Sequence, residues 1–414
     1  IKEVMIKYGF QYLETPSFEY TDSIGKFLPD KERPDAGVFS FKDEKKWLSL
    51  RYDLTAPLAR YVARNYLEIP KPFKRYQLGT VWRNEKPGPG RFREFQQFDA
   101  DFVGTKNLMA DAELCLMMSE ILKKCGLTDN DFTIKFSSRK ILENLLDLYK
   151  ITVKERRLKV LRSLDKVDRL GWEAVEKLLG PGRKDESGDF TEGADLPEDV
   201  IDDLQSQLKY DDEETFTYAA WSKEGGGDAY NDIKSLEDSF KLFDLKNIRF
   251  DPTLIRGLEY YTGPIFEVNI NFDIKNSKGK TVQFGSIGGG GRYDNLVDNF
   301  GNYDCPATGI SIGLDRLVFA LMQKKDFKIK PSRPIVICVF DKDKTKEYVS
   351  ILKKLRASNI SSEIFSGEGK LKKQMEYANK IKSPAVILYG ENEIKSGKPT
   401  LRNLNSGKEK SIQI

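Results

Sequence analysis

Histidine is absent from all 414 residues of the sequence. No imidazole can therefore shuttle a proton, complete a Ser-His-Asp triad or ligate a metal, and those mechanisms are excluded at once. Cysteine is scarce too: Cys115, Cys125, Cys305 and Cys338 are scattered without CxxC spacing. That argues against zinc and against a disulfide framework, and fits a reducing, cytoplasmic setting. No apolar run approaches the roughly 18–20 residues that cross a bilayer, so no membrane partner is expected. No signal peptide is visible, although Ile1 already falls inside a helical pattern and the natural start is expected upstream. The GxxxxGK[ST] phosphate loop is also missing, so any nucleotide must bind without that cradle.

What is present is the profile of a globular protein, 39% apolar and 32% charged, in a chain long enough for two or three domains. The net charge of +4 is unevenly spread: residues 331–414 carry 17 Lys and Arg against 9 Asp and Glu, while residues 181–234 carry 16 acids and 5 bases. A basic end attracts polyanions, nucleic acid being the commonest, but a solvated lysine-rich surface gives the same count.

Strand-like runs at 73–77 and 98–103 and an amphipathic helix at 110–124 give residues 1–137 an α+β reading. Residues 138–245 turn helical and Leu-rich, broken by Gly180-Pro181-Gly182 and an acidic stretch, as an inserted helical domain would be. Strand-like runs return at 265–272 and 281–284, followed by a glycine-rich turn and a helix near Leu314. They should complete the first sheet, making one core of 1–137 and 246–326. Residues 327–332 read as a linker. The last domain, 327–414, alternates strands at 334–340, 361–365 and 385–389 with helices at 345–358 and 371–381. This predicts a small α/β domain with a largely parallel sheet.

Four segments carry residues that a plain core does not need. Gly79 to Phe98 reads as a strand, a Pro/Gly loop and a returning strand, with Arg83, Lys86, Arg91 and Arg93 beside Phe95. Guanidiniums pair bidentately with phosphate and an aromatic ring stacks on a base, so the segment suits a nucleotide triphosphate. Arg256-Gly257-Leu258-Glu259-Tyr260-Tyr261-Thr262-Gly263 can line a polar pocket. In Gly285-Ser286-Ile287-Gly288-Gly289-Gly290-Gly291-Arg292-Tyr293-Asp294, four consecutive glycines offer no side-chain packing and are costly to order, which points to a role for the backbone itself. Ala307 to Leu317 turns a small-residue strand into a helix with Arg316 in its first turn, where a cation can meet a phosphate.

In this order the segments resemble the signature motifs of class II aminoacyl-tRNA synthetases, and specifically those of the histidyl-tRNA synthetase family. Thr15-Pro16 resembles motif 1, Arg83 to Phe95 motif 2 and Gly309 to Arg316 motif 3. The Arg256 and Gly290–Asp294 segments resemble the two histidine-specific motifs, and Arg51 to Pro57 the segment leading to the substrate site. The resemblance implies an antiparallel catalytic sheet of six or seven strands with flanking helices, an inserted helical domain and a C-terminal anticodon-binding domain. It further implies a homodimer built on motif 1, ATP accompanied by Mg²⁺ but no protein-held metal, and L-histidine and tRNA(His) as partners. Carried over to this chain, Arg83 and Arg256 would hold the α-phosphate, Glu85 the adenine amino group, Phe95 the adenine ring and Arg316 the γ-phosphate, with Arg91 also on ATP. Arg83, Arg256 and Arg316 would be the catalytic residues. Asp53, Thr55 and Gln97 would take the substrate ammonium, while Asp101, Tyr261 and Tyr293 would bracket the imidazole beside Tyr260 and Arg256. Glu391 and Arg402 are expected in loops that reach RNA. The rival reading is a catalytically silent paralogue that regulates ATP phosphoribosyltransferase. Such proteins generally lack the arginine of the histidine motif and the anticodon domain.

Overall fold

The computed structural model describes residues 1–21, 37–84, 86–184, 188–208, 227–254, 260–276, 278–324, 326–327 and 333–413. The chain divides into two compact units, Ile1–Phe327 and Lys328–Ile414.

The first unit is organised on one sheet, with eight strands among the described residues. They are β1 (Gln11–Tyr12), β2 (Phe73–Trp82), β3 (Glu94–Val103), β4 (Phe132–Ser138), β5 (Ile248–Phe250), β6 (Pro264–Ile270), β7 (Gly288–Arg292) and β8 (Ala307–Gly313). Their spatial order is β1-β2-β3-β8-β7-β6-β4-β5. The six inner strands are antiparallel, as the resemblance implied. Two short parallel strands extend the sheet at its edges, β1 beside β2 and β5 beside β4.

Side chains alternate across a strand, so β3 serves two purposes. Phe98, Ala100 and Phe102 enter the core with Ile310 and Ile312 of β8, leaving Gln97, Asp99 and Asp101 on the opposite face. Helix α1 (Thr55–Arg64) follows the Arg51 segment, and α2 (Met109–Lys124) brings Leu114, Met117, Met118 and Ile121 to the core. None of these four α2 side chains is exposed, and each such burial is worth about 1.5–3 kcal/mol.

Between β4 and β5 run α3 (Arg139–Leu148), α4 (Lys154–Leu164), α5 (Trp172–Leu179), α6 (Glu198–Leu208) and α7 (Gly227–Leu242). Their apolar faces, including Leu145, Val160, Val175, Leu204 and Leu236, join the same buried cluster as the sheet. The expected Gly-Pro-Gly break leads into a short antiparallel pair, Gly182–Lys184 against Phe190–Glu192, within the largely helical stretch. Helix α8 (Leu314–Gln323) leaves β8 directly.

Two expectations need correction. Thr281–Val282 does not join the large sheet but pairs with Ile274–Lys275 in a separate ribbon. The glycine-rich stretch is not a turn: it is β7, a central strand hydrogen-bonded to β6 on one side and β8 on the other. Neighbouring backbones on both sides supply the order that glycine cannot supply for itself.

The second unit contains β9 (Ile335–Ile337), α9 (Thr345–Ala357), β10 (Ser362–Ile364), α10 (Leu371–Lys380), β11 (Ala385–Leu388), β12 (Thr400–Asn403) and β13 (Glu409–Ser411). In the order β10-β9-β11-β12-β13 the first three strands are parallel, as expected, and the last two add an antiparallel hairpin. Alternation again splits the core: Val336 and Val386 pack with Phe365 and Ala378, Ile337 and Ile387 with Tyr348, Ile351 and Leu355. Arg402 lies within β12, not in a loop, 3.5 Å from the Glu409 carboxylate. Residues 328–332 of the expected linker and much of the acidic stretch, 185–187 and 209–226, lie outside the described residues. All four cysteines are free thiols. Among the described residues no helix is long and apolar enough to cross a membrane.

Candidate active site

Residues directly opposite one another in a sheet share a face, so the strand register gives the floor of a cavity row by row. One row holds Arg75, Asp101, Gly309 and Gly291; the next holds Gln77, Asp99, Ser311, Gly289 and Glu267; a third holds Gly79, Gln97 and Gly313. Above this floor is a cavity of about 460 Å³ whose walls include Asp53, Thr55, Arg83, Arg91, Phe95, Tyr260, Tyr261, Tyr293 and Arg316. The structure thus brings together every described residue that the sequence assigned to the site. Arg256 and Glu85 lie outside the described residues.

Gly309 keeps the floor open, and Gly290, in the core-facing row opposite Ile310 and Phe266, lets the strands close up behind it. A Cβ added to Gly309 would meet the Asp101 Oδ1 oxygen, and one added to Gly290 would meet the Gly309 carbonyl oxygen. Neither position tolerates a side chain without displacing the sheet or the carboxylate.

One end of the cavity is acidic. The Tyr293 hydroxyl donates to Asp101 Oδ1 at 2.6 Å, and Arg75 Nε lies 3.3 Å from Asp101 Oδ2, both residues being buried. Asp53 Oδ1 accepts the Ala56 N–H at 3.0 Å at the head of α1, while Oδ2 accepts from the Tyr260 hydroxyl at 3.4 Å. Burial pushes Asp53 and Asp101 above the usual carboxylate range, against the pull of Arg83 on the first and Arg75 on the second. Burial likewise pushes the phenols of Tyr260 and Tyr293 well up, so both remain donors. Tyr260 meets Tyr261 and Tyr293 edge to face at 5.0 and 6.0 Å. Behind this wall the Arg292 guanidinium donates to Asp111 and, at 2.8 Å, to the Thr105 carbonyl, which pins the strand that presents Tyr293.

The other end is cationic and aromatic. Arg83 Nε donates to the Tyr52 carbonyl at 3.0 Å, and its guanidinium lies 5.3 Å from the Phe95 ring centroid. The Arg316 guanidinium lies 4.5 Å from the Phe284 centroid. Its neighbour Asp315 accepts the Gln96 N–H at 2.8 Å, which fixes the head of α8 to β3. Phe95 and Asp101 are six residues apart on one strand, roughly 20 Å, so one extended cavity offers carboxylates at one end and guanidiniums at the other. The buried Arg51 ties the motif 1 segment to this frame, donating to the carbonyls of Thr15 at 2.6 Å, Pro16 at 3.2 Å and Thr80 at 2.8 Å.

Asp99, Ser311, Glu267, Arg75 and Asp165 belong to this site or to its immediate support, although the sequence reading named none of them. For Asp99 a signal existed: it falls two residues from both Gln97 and Asp101, and must share their face. Asp165, just after α4, could not be anticipated, because only the folded chain brings the inserted helices to the cavity wall. Burial, and after it the neighbouring Asp101, pushes Asp99 up to about 7. The folded protein then holds this proton to higher pH than the unfolded chain, whose ordinary value is 3.8. The folded state therefore binds more protons between about pH 4 and 7, and stability falls as pH rises through that window. Asp99→Asn should flatten that fall, so the variant gains stability relative to the parent at pH 8 but not at pH 4. Denaturant unfolding at both pH values reads this directly, and parallel pH profiles would contradict it.

The antiparallel sheet with its cavity on one face, arginines on a strand-loop-strand hairpin and another at the head of the following helix, defines a class II aminoacyl-tRNA synthetase catalytic domain. The profile described as histidyl-tRNA synthetase matches residues 1–317, and that described as anticodon binding domain matches residues 334–414. The chain belongs to the histidyl-tRNA synthetase family. It is 46% identical to a histidine–tRNA ligase of Bartonella henselae, across all of this chain and 86% of that one. A histidine–tRNA ligase of Brucella suis is 45% identical, across all of this chain and 85% of that one. The crystal structure of histidyl-tRNA synthetase from Nostoc sp. PCC 7120 superposes with a TM-score of 0.79 at 23% identity, covering 99% of this chain and 91% of that chain, and so shares the fold. Synthetases of this family use ATP.

Proposed function

We propose that the chain activates L-histidine with ATP, releasing pyrophosphate, and transfers histidine from the adenylate to the 3′ end of tRNA(His). The observation that carries this reading is the division of charge along one cavity. Asp53, Thr55 and Gln97 take the α-ammonium; Asp101, Tyr261 and Tyr293 bracket the imidazole, with Tyr260 holding Asp53. Arg83, with Arg256, faces the α-phosphate, Arg316 the γ-phosphate and Arg91 the ATP tail. Phe95 stacks on the adenine, whose amino group goes to Glu85. Mg²⁺ arrives as part of the ATP substrate, held by its phosphates with several waters, as is usual for this ion.

The chemistry needs no base from the protein. The substrate carboxylate is already ionised and attacks the α-phosphorus, forming the acyl-phosphate bond as the bond to pyrophosphate breaks. Catalysis is then positioning plus stabilisation of charge on phosphate, which arginines supply. In the second step the ribose 3′-hydroxyl attacks the acyl carbon, AMP leaves, and the adenylate phosphate takes the proton. A pocket built to hydrogen-bond a polar ring rejects unlike side chains by roughly 10⁴–10⁵.

In this reading residues 1–137 with 246–326 form the catalytic core, 138–245 an inserted domain and 327–414 the domain that meets the anticodon, in a cytoplasmic homodimer built on motif 1. The match of residues 334–414 to an anticodon-binding domain favours the enzyme over the regulatory paralogue. The test is charging of tRNA with each labelled amino acid in turn: histidine alone should be esterified, and equal charging with proline, threonine or glycine would sink the assignment. Deleting residues 334–414 should depress charging at least tenfold more than histidine-dependent pyrophosphate exchange. Equal losses in both assays would remove the anticodon role.

A further inference from the structure

Asp99 is 2% exposed and lies on the cavity floor, yet none of the roles above uses it. Its Oδ1 has no hydrogen-bond partner, and neither has Oε1 of the adjacent Gln97, 8% exposed on the same face. Ser311, opposite Asp99 on β8, lies between them. Gln97 Nε2 donates to Ser311 Oγ at 2.5 Å, and the Ser311 side chain, opposite Asp99 on the sheet, pulls the Asp99 carboxyl down against the rise that burial causes.

The direction of this chain follows from donor counts. A hydroxyl has one proton, and an ionised carboxylate can only accept. When Asp99 takes the Ser311 proton, Ser311 offers Gln97 only lone pairs, and those select the Gln97 NH₂ group. The Gln97 carbonyl must then face the cavity, where an ammonium is attracted; the opposite orientation would present NH₂ to a cation and repel it. We propose that Asp99 and Ser311 are positioning residues that act as a polarity relay, aiming the Gln97 carbonyl at the α-ammonium of the amino-acid substrate. Burial and Asp101 push the Asp99 carboxyl up to about 7 when the site is empty. An arriving cation favours the ionised, acceptor-only form that the relay requires.

The inference rests on the reading that Gln97 binds the ammonium, so the experiment includes Gln97→Ala beside Ser311→Ala, Ser311→Thr and Asp99→Asn. Each full-length variant is assayed by pyrophosphate exchange for KM of histidine, KM of ATP and kcat, with a thermal midpoint as a check on folding. Asp99→Asn keeps the shape but not the acceptor-only chemistry, and Ser311→Thr keeps the hydroxyl. The relay predicts that Ser311→Ala and Asp99→Asn raise the histidine KM about tenfold or more, with ATP KM and kcat changed less than about threefold, and that Ser311→Thr stays near the parent. If Gln97→Ala raises the histidine KM while Ser311→Ala and Asp99→Asn leave it unchanged, the relay is wrong and the ammonium reading stands. Should Ser311→Thr be as damaging as Ser311→Ala, the hydroxyl is not the agent and the relay is again refuted. An unchanged histidine KM in Gln97→Ala would overturn both.

Discussion

Arg83→Ala is expected to lower kcat for histidine-dependent pyrophosphate exchange by roughly 10²–10³, about 2.7–4 kcal/mol of transition-state stabilisation. The guanidinium is held by the Tyr52 carbonyl, packs near Phe95 and lines the cavity. In the proposed reaction it faces the α-phosphate, where charge builds up in the transition state. Arg83→Lys should recover little of the loss, because an ammonium cannot reproduce a planar two-pronged contact. Stability should change little, since the side chain is part-buried and lies outside the apolar core. Single-turnover exchange at saturating ATP and histidine checks this, and a kcat within threefold of the parent would show that Arg83 does not act on the reacting phosphate.

Gly309→Ala should strike the carboxylate end instead, where the amino acid is proposed to bind. The added methyl falls on Asp101 Oδ1, the oxygen that the Tyr293 hydroxyl occupies. Asp101 must move away from Tyr293 and Arg75, leaving a buried carboxylate short of partners at a cost of about 1–3 kcal/mol. A displacement of this kind near the reacting groups costs about 10²-fold in rate, so kcat/KM for histidine should fall on that scale while the KM for ATP stays near its parent value. The comparison of the two KM values decides the matter: a loss shared equally by ATP and histidine would mean that the sheet has come apart, not that the ring pocket has closed.

Much of the molecule was readable in advance, and the exceptions have physical causes. Strands β2 and β3 announce themselves because one face is apolar and the other polar, with β3 carrying Phe98, Ala100 and Phe102 against Gln97, Asp99 and Asp101. Strand β7 does not: Gly288 to Gly291 have no strand propensity, and only pairing with β6 and β8 on both sides makes them a strand. The edge strands β1 and β5 are two and three residues long, and each depends on a parallel neighbour distant in sequence, Gln11 on Arg75 and Ile248 on Ile134. No local pattern reports such pairs. The run at 281–284 was expected in the large sheet for the opposite reason, since the partner of Thr281–Val282 is Ile274–Lys275, only a few residues away. At the site, the arginines and tyrosines stood out by type and spacing. Asp99 and Ser311 were passed over although period-two alternation put them on the right face, and Asp165 was beyond reach because its place depends on how the inserted helices pack.

Histidine-dependent exchange of labelled pyrophosphate into ATP tests the central claim most directly, because it reports adenylate formation at this cavity without any RNA. Assayed with the twenty amino acids one at a time, the protein should exchange with histidine and fall to background with the other nineteen. Exchange with none of them, in a folded full-length preparation, or faster exchange with an amino acid other than histidine, would contradict the account.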